Sequence, residues 1–294
     1  MTLPQRDTRV TYPSGALTAT SRVLHVAPAP DGRLAVITEQ TSFHPVDAAW
    51  PDQPADAGVM RVAGIEHVVR DAVVAATDGA ALHLGDEIPV RRGTEGWAFV
   101  VAHLVDGEAA IAEGDEVEIE ADAATRRALS IGHTACHLAS LALNRVLADH
   151  WTKPAREDAL GNPDFDGAAI ASSRIVPNGS IDRYRLNKSL RRAGFDTAAI
   201  AGDLEAVDVR AMIERLDGWI ASGAPVRVES EGGDGLGDRR AWVCELPEGT
   251  VRIACGGTHL TSLAELSGIR PSFALVDDGG TAVLEMVTEA RPQP

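Results

Sequence analysis

"SIGHTACHLASLALNRVL", residues 130–147, sets two histidines four apart in a run that is otherwise largely apolar. Leu129, His133, Cys136, Ser140, Leu143 and Leu147 follow steps of three and four, the period of a helix. The pattern reaches back to Ala123, with Asp122 placed to cap the first turn, and forward to about Asp149. Around 138–143 apolar residues cover most sides of the helix, so it should be central to its fold. Positions i and i+4 share one helical face, which puts the imidazoles of His133 and His137 within reach of a single ion. The same pair is also compatible with two hydrogen-bonded core histidines.

Upstream, residues 1–120 read as β-rich. "ALTATSRVLHVAP", "RLAVITEQTSF", "IEHVVRDAVVAA" and "GWAFVVAHLV" carry β-branched residues with Gly, Pro and Asp between them, and "EGDEVEIEAD" (113–122) closes the series. Many short strands without a helical period suggest a small β-barrel. Downstream, residues 150–202 are rich in Pro, Gly and Asn and read as irregular. A second helix is expected over 204–221, with Val209, Met212, Leu216 and Ile220 on its buried face. "PVRVES" and "TVRIAC" read as strands, "EGGDGLGD" (231–238) as a flexible loop and "SFALVDDGGTAVLEMV" as a hairpin. Ser262 and Glu265 are spaced as a capping box for a short helix. The expected class is α+β: a β-barrel domain over 1–120, then an α+β core over 121–294.

"CGGTH" (255–259) bears directly on the histidine pair. Cys255 ends a strand on the face it shares with Val251 and Ile253, and His259 returns four residues later. Gly256 and Gly257 let the backbone turn sharply between them. His133, His137, Cys255 and His259 together make a four-ligand N/S set of the kind that suits Zn²⁺, tying the long helix to a sheet. Cys136 diverges by about 100° from its helical neighbour His137 and reads as a small core residue, and Cys244 as a buried strand residue. The chain holds 294 residues, 45% hydrophobic and 24% charged, with a formal net charge of −16, which weighs against indiscriminate nucleic-acid binding by its whole surface. Three cysteines cannot all pair, so a reducing, cytoplasmic setting fits. Neither a signal peptide nor a membrane span is legible.

"RRALSIGHTACHLASLALNRVL", "GSIDRYRL" and "VRIACGGTH" resemble the editing domain of alanyl-tRNA synthetase and its free-standing relatives, the AlaX-type alanyl-tRNA editing proteins. That family carries H-T-A-x-H-L on its helix and C-G-G-T-H after a strand. "SFHPVDAAWPDQPADAG" (42–58) is similar to its N-terminal loop, keeping Gln53, Pro54, Asp56 and Gly58 but replacing a triple glycine. Val176 and Pro177 stand where a glutamine often precedes the family's G-S. "EGDEVEIEADAATRR" is similar to the family's junction, so the likeness runs from about residue 15 to 290.

The resemblance implies a small β-barrel followed by an editing core with one Zn²⁺ held by His133, His137, Cys255 and His259. It implies ATP-independent hydrolysis, in trans, of the ester joining serine or glycine to tRNA for alanine, without any charging activity. Zinc would either lower the pKa of bound water or polarise the carbonyl. Thr258 would offer a hydroxyl near the ion or steady the turn. For the tRNA, "RYRLNKSLRR" (183–192) supplies Arg183, Arg185, Lys188, Arg191 and Arg192, with Gln53 as a further contact. Two alternatives stand beside this reading: a metal-dependent hydrolase of a small ester or amide, and a zinc-stabilised RNA-binding module without catalysis.

Overall fold

A computed structural model describes residues 3–201 and 204–294. The chain divides into two compact units. One takes Met1–Arg127 with Val228–Ala241 and Ala254–Thr258; the other takes Ala128–Arg227, Trp242–Ile253 and His259–Pro294.

The first unit contains β1 (Arg9–Val10), β2 (Thr18–Pro28), β3 (Arg33–Thr38), β4 (Gln40–Thr41), β5 (Gly58–Val62), β6 (Ile65–Val69), β7 (Asp71–Thr77), β8 (Leu82–Leu84), β9 (Ala98–Asp106) and β10 (Glu116–Ala121). Eight of them form one sheet in the order β6-β5-β10-β2-β3-β9-β7-β8, and β1 pairs with β4 in parallel. A bulge lies between Val23 and His25, where β2 passes from pairing with β10 to pairing with β3. Bulges bend a strand and increase its twist. The sheet gathers Val23, Val36, Met60, Val74, Phe99 and Ile119 into one buried cluster, while Ala35, Ile37, Ala75 and Val100 form another. β9 is buried on both faces, which is why "AFVVAHLV" is apolar at every position but His103 rather than alternating.

The closed barrel expected for 1–120 is not formed: among the described residues β6 and β8 remain the edges of an open sheet. β8 is three residues long, and β6 carries Glu66, drawn to Arg61 at 3.0 Å; short, charged edges resist further pairing. The loop 231–238 is not a loose one. Leu236 is buried, Gly237 N–H donates to Asp7 Oδ2 at 2.8 Å, and Arg240 Nη2 donates to Gly235 O at 2.7 Å.

The long helix, α1 (Ala123–Val146), begins where its pattern begins, and Asp122 Oδ1 accepts Thr125 N–H at 2.7 Å. The stretch 150–202, expected to be irregular, holds α2 (Phe165–Ala169), β11 (Ile170–Val176), β12 (Gly179–Arg185), α3 (Lys188–Ala193) and α4 (Ala198–Ala201); residue 202 lies outside the described residues. Two serines in β11 hid the strand; it pairs with its neighbour β12, which in turn pairs with β17 from far along the chain. The second helix, α5 (Val209–Ser222), starts five residues later than expected because Asp208 caps it, accepting Ala211 N–H at 2.9 Å. Met212, Leu216 and Trp219 are its buried residues, while Val209 and Ile220 are half-buried. β13 (Val226–Glu231), β14 (Arg239–Leu246) and β15 (Gly249–Ala254) follow in a three-stranded sheet. Ser262 caps a single 3₁₀ turn, and the expected hairpin is β16 (Leu266–Asp278) with β17 (Thr281–Pro292). They complete a four-stranded sheet in the order β11-β12-β17-β16, so the class is α+β.

His103, on β9, is fully buried. Its Nδ1 lies 3.0 Å from the Val36 carbonyl, which requires Nδ1–H, so Nε2 accepts from the Thr41 hydroxyl at 2.8 Å. Burial lowers its pKa to about 4. The unfolded chain therefore takes up a proton near pH 6.5 that the folded chain refuses, and stability falls as pH drops from 6.5 towards 4. His103→Asn keeps a donor for Val36 and removes the titration. Urea unfolding between pH 4 and 7 should show the slope of stability against pH reduced by up to about 1.4 kcal/mol per pH unit. An unchanged slope would mean that His103 is not held neutral.

Candidate metal centre

α1 presents His133 and His137 one turn apart, with ring centroids 5.0 Å from each other. The ring of His259 lies 4.3 Å from that of His133 and 5.2 Å from that of His137. Ligand atoms of His133, His137, Cys255 and His259 all fall within 4.8 Å of one another, so the four residues singled out by spacing form one group that could hold a metal ion.

The chemistry of these donors fits a soft divalent cation. His137 Nε2 is buried without a hydrogen-bond partner, and burial lowers the ring's pKa to about 4. At neutral pH the ring is therefore uncharged and a lone pair is available for a metal. Burial pushes the Cys255 thiol up to about 12. A cation would displace that proton, and Gly257 N–H, 3.5 Å from Sγ, already points a donor at the sulfur. Three imidazoles and one thiolate make a donor set suited to zinc.

The surroundings hold these ligands in place. Thr134 is fully buried; its Oγ1 lies 3.3 Å from His259 Nδ1 and accepts Leu260 N–H at 3.1 Å. When Nδ1 carries the proton it donates to Thr134 and turns Nε2 into the ligand atom, as an outer-shell partner does. Gly132 is required next to His133, since a Cβ there would overlap the carbonyl oxygens of Val176 and Gly179. That hairpin turn docks on the helix through Asn178, whose N–H donates to Ala128 O at 2.8 Å and whose φ is +59°. The Trp242 ring packs 5.0 Å from His137 and 6.0 Å from His259. Thr134 and Trp242 were not singled out from sequence. A polar β-branched residue between the two helical histidines was the available signal for the first; nothing local marked the second.

Thr258 and Gln53 are both buried and locked together. Gln53 Nε2 donates to Thr258 Oγ1 at 2.9 Å, and Thr258 N–H donates to Gln53 Oε1 at 3.1 Å. Gln53, expected as a tRNA contact, thus lies 1% exposed against the C-G-G-T-H turn. Three residues on, Asp56 forms a buried ion pair with Arg126, whose Nη2 also donates to Ser42 O at 2.7 Å.

Cys136 is not in the ligand group and is not a plain core residue either. Its Sγ lies 3.5 Å from Asp182 Oδ1, a buried carboxylate that also accepts from Ser173 at 2.5 Å and Ser180 at 2.7 Å. Burial raises both the thiol and the carboxyl of this network. Cys244 is a fully buried strand residue, as expected. The basic stretch is less naked than its sequence suggests. Arg183 pairs with Glu285 at 3.1 Å and Arg185 with Asp278 at 3.5 Å, acids supplied by the distant hairpin. Lys188, Arg191 and Arg192 are exposed on α3.

Thr134→Val keeps the shape and removes the oxygen. It is expected to weaken zinc binding by about 10- to 100-fold, read by competition with a chromophoric chelator. Unaltered affinity would show that Thr134 does not orient His259.

No family model matches the chain. It is 28% identical over 255 residues to the alanine–tRNA ligase of Ruegeria pomeroyi, covering 84% of this chain and 24% of that protein. The alanine–tRNA ligase of Pyrobaculum neutrophilum is 28% identical over 263 residues (85% of this chain, 23% of that protein). That of Halobacterium salinarum is 23% identical over 240 residues (82% and 21%). The chain spans less than a quarter of the length of these relatives. Over most of its own length, the chain is therefore similar to one segment of the alanine–tRNA ligases.

Proposed function

We propose that the protein is a zinc-dependent hydrolase that removes serine or glycine from wrongly charged tRNA for alanine, acting in trans and without ATP. The observation that carries this reading is the group of three histidines and one cysteine, found in a chain similar to alanine–tRNA ligases. In this reading residues 1–120 are the β domain and 121–294 the editing core, and the protein works in the cytoplasm. No helix among the described residues is long and apolar enough to cross a membrane.

His133, His137, Cys255 and His259 would hold the ion. Bound there, zinc would supply a Lewis acid for ester hydrolysis. The protein's own part is positional. Gln53 gives its amide N–H to Thr258 Oγ1, so the threonine's proton points away from Gln53 and serves as a donor. A donor held in a dry site can stabilise charge that develops on the ester oxygen. Burial keeps His137 neutral, and Thr134 holds the His259 ring in orientation. Arg183, Arg185 and Lys188 are proposed to contact tRNA phosphates, the first two by exchanging their carboxylate partners for phosphate.

Deacylation assays with serine-, glycine- and alanine-charged tRNA for alanine test this directly. The serine or glycine form should be cleared far faster than the alanine form. Cys255→Ala should reduce that rate by about two orders of magnitude, and Thr258→Val by about tenfold or more. Turnover of a free aminoacyl ester equal to that of charged tRNA would instead identify a small-ester hydrolase on the same fold.

A further inference from the structure

We propose that Trp50 is a stacking platform for the terminal base of an RNA 3′ end, with Arg91 taking a phosphate beside it. This inference rests on the tRNA reading above. Trp50 is 45% exposed; the other large apolar residues exposed among the described ones, Ile65 and Val68, belong to the edge strand β6.

The segment that carries the indole is tied down throughout. At its start Val46 exchanges backbone hydrogen bonds with β7, donating to Ala72 O at 2.8 Å and accepting from Val74 N at 3.0 Å. Within it Asp47 Oδ1 accepts Ala49 N–H at 3.0 Å, and Trp50 N–H donates to Asp47 O at 3.1 Å. Arg92 clamps Asp47 at 2.7 Å, and at the far end Gln53 grips Thr258. A large aromatic ring is thereby held out to solvent on a fixed turn, so binding orders little more than its own two side-chain torsions.

Beside this turn lies a groove of about 340 Å³, lined in part by Val74, Ile88, Phe99, Asp86, Arg91 and Arg92. Arg92 is already committed to Asp47. Arg91 is exposed and has no ion pair among the described residues. Trp50 follows directly on Asp47, Ala48 and Ala49, which line this groove together with Arg91. An exposed aromatic ring on a turn that borders an apolar groove and an uncommitted guanidinium is the chemistry that binds single-stranded nucleic acid: a base stacks while a cation meets the backbone. A protein partner would call for a broader apolar patch than one indole.

Position selects the nucleotide. Three residues of chain place the Cα of Trp50 within about 11 Å of that of Gln53. Gln53 bonds Thr258, the chain neighbour of His259. In a charged tRNA the terminal nucleotide bears the ester, so its base is the one that must lie near these residues while the ester is cleaved.

The test is binding of a short single-stranded RNA ending in CCA, compared with the same RNA lacking its terminal base. The base should quench tryptophan fluorescence in the wild-type protein. Trp50→Phe should lose that quenching while retaining affinity within about threefold, and Trp50→Ala should weaken binding about tenfold. Deleting the terminal base should weaken binding to the wild type by the same factor, with no further loss in Trp50→Ala. Arg91→Ala should lower the slope of log affinity against log salt by about 0.7, one phosphate's worth. Unchanged thermal midpoints and zinc content would show each variant folded. Equal losses from base deletion in the wild type and Trp50→Ala would overturn the stacking and leave the tRNA reading standing. A wild-type protein that binds neither this RNA nor charged tRNA would overturn both.

Discussion

A buried ring nitrogen without a partner is costly, and His137 Nε2 is such an atom. Burial prevents the ring from escaping the cost by taking a proton. A metal ion would satisfy it, and candidate ligand atoms of His133, Cys255 and His259 are already gathered with it. The rest of the local structure makes sense as the means of holding that arrangement before an ion arrives. Four convergent donors on separate parts of the chain would otherwise be expensive to assemble.

Each supporting contact meets one requirement. Gly132 removes the side chain that would push the 176–179 turn off the helix. Thr134 Oγ1 braces the His259 ring from its Nδ1 side, at 3.3 Å. Gln53 and Thr258 fasten the C-G-G-T-H turn by two hydrogen bonds across 205 residues of sequence. Asp56 neutralises Arg126, a guanidinium buried near the start of the helix that bears His133 and His137. Gln53 and Asp56 of the 42–58 segment thus serve internal contacts. Trp50, in the same segment, faces solvent.

How much of this was legible in the sequence depended on whether the cause was local. α1 was readable from end to end because its period and its Asp122 cap are carried by consecutive residues. The β16–β17 hairpin was readable from "DDGG". The grouping of His133, His137, Cys255 and His259 was readable because each pair is spaced by four. The hairpin β11–β12 was not, since serines in β11 mask its alternation and its pairing depends on β17, about a hundred residues later. Sheet closure was also beyond reach: the strands of 1–120 could be counted, but the hydrogen bonding that leaves β6 and β8 as edges is a tertiary outcome. The pairing of Arg183 and Arg185 with Glu285 and Asp278 was hidden for the same reason.

The central claim is that three imidazoles and one thiolate hold a single zinc ion. X-ray absorption at the zinc edge on protein purified without chelators tests it most directly. The account predicts one zinc per chain, with one sulfur at about 2.3 Å and three nitrogens at about 2.0–2.1 Å, the sulfur disappearing in Cys255→Ala. A shell without sulfur in the wild-type protein, or protein that takes up no zinc when titrated, would contradict it.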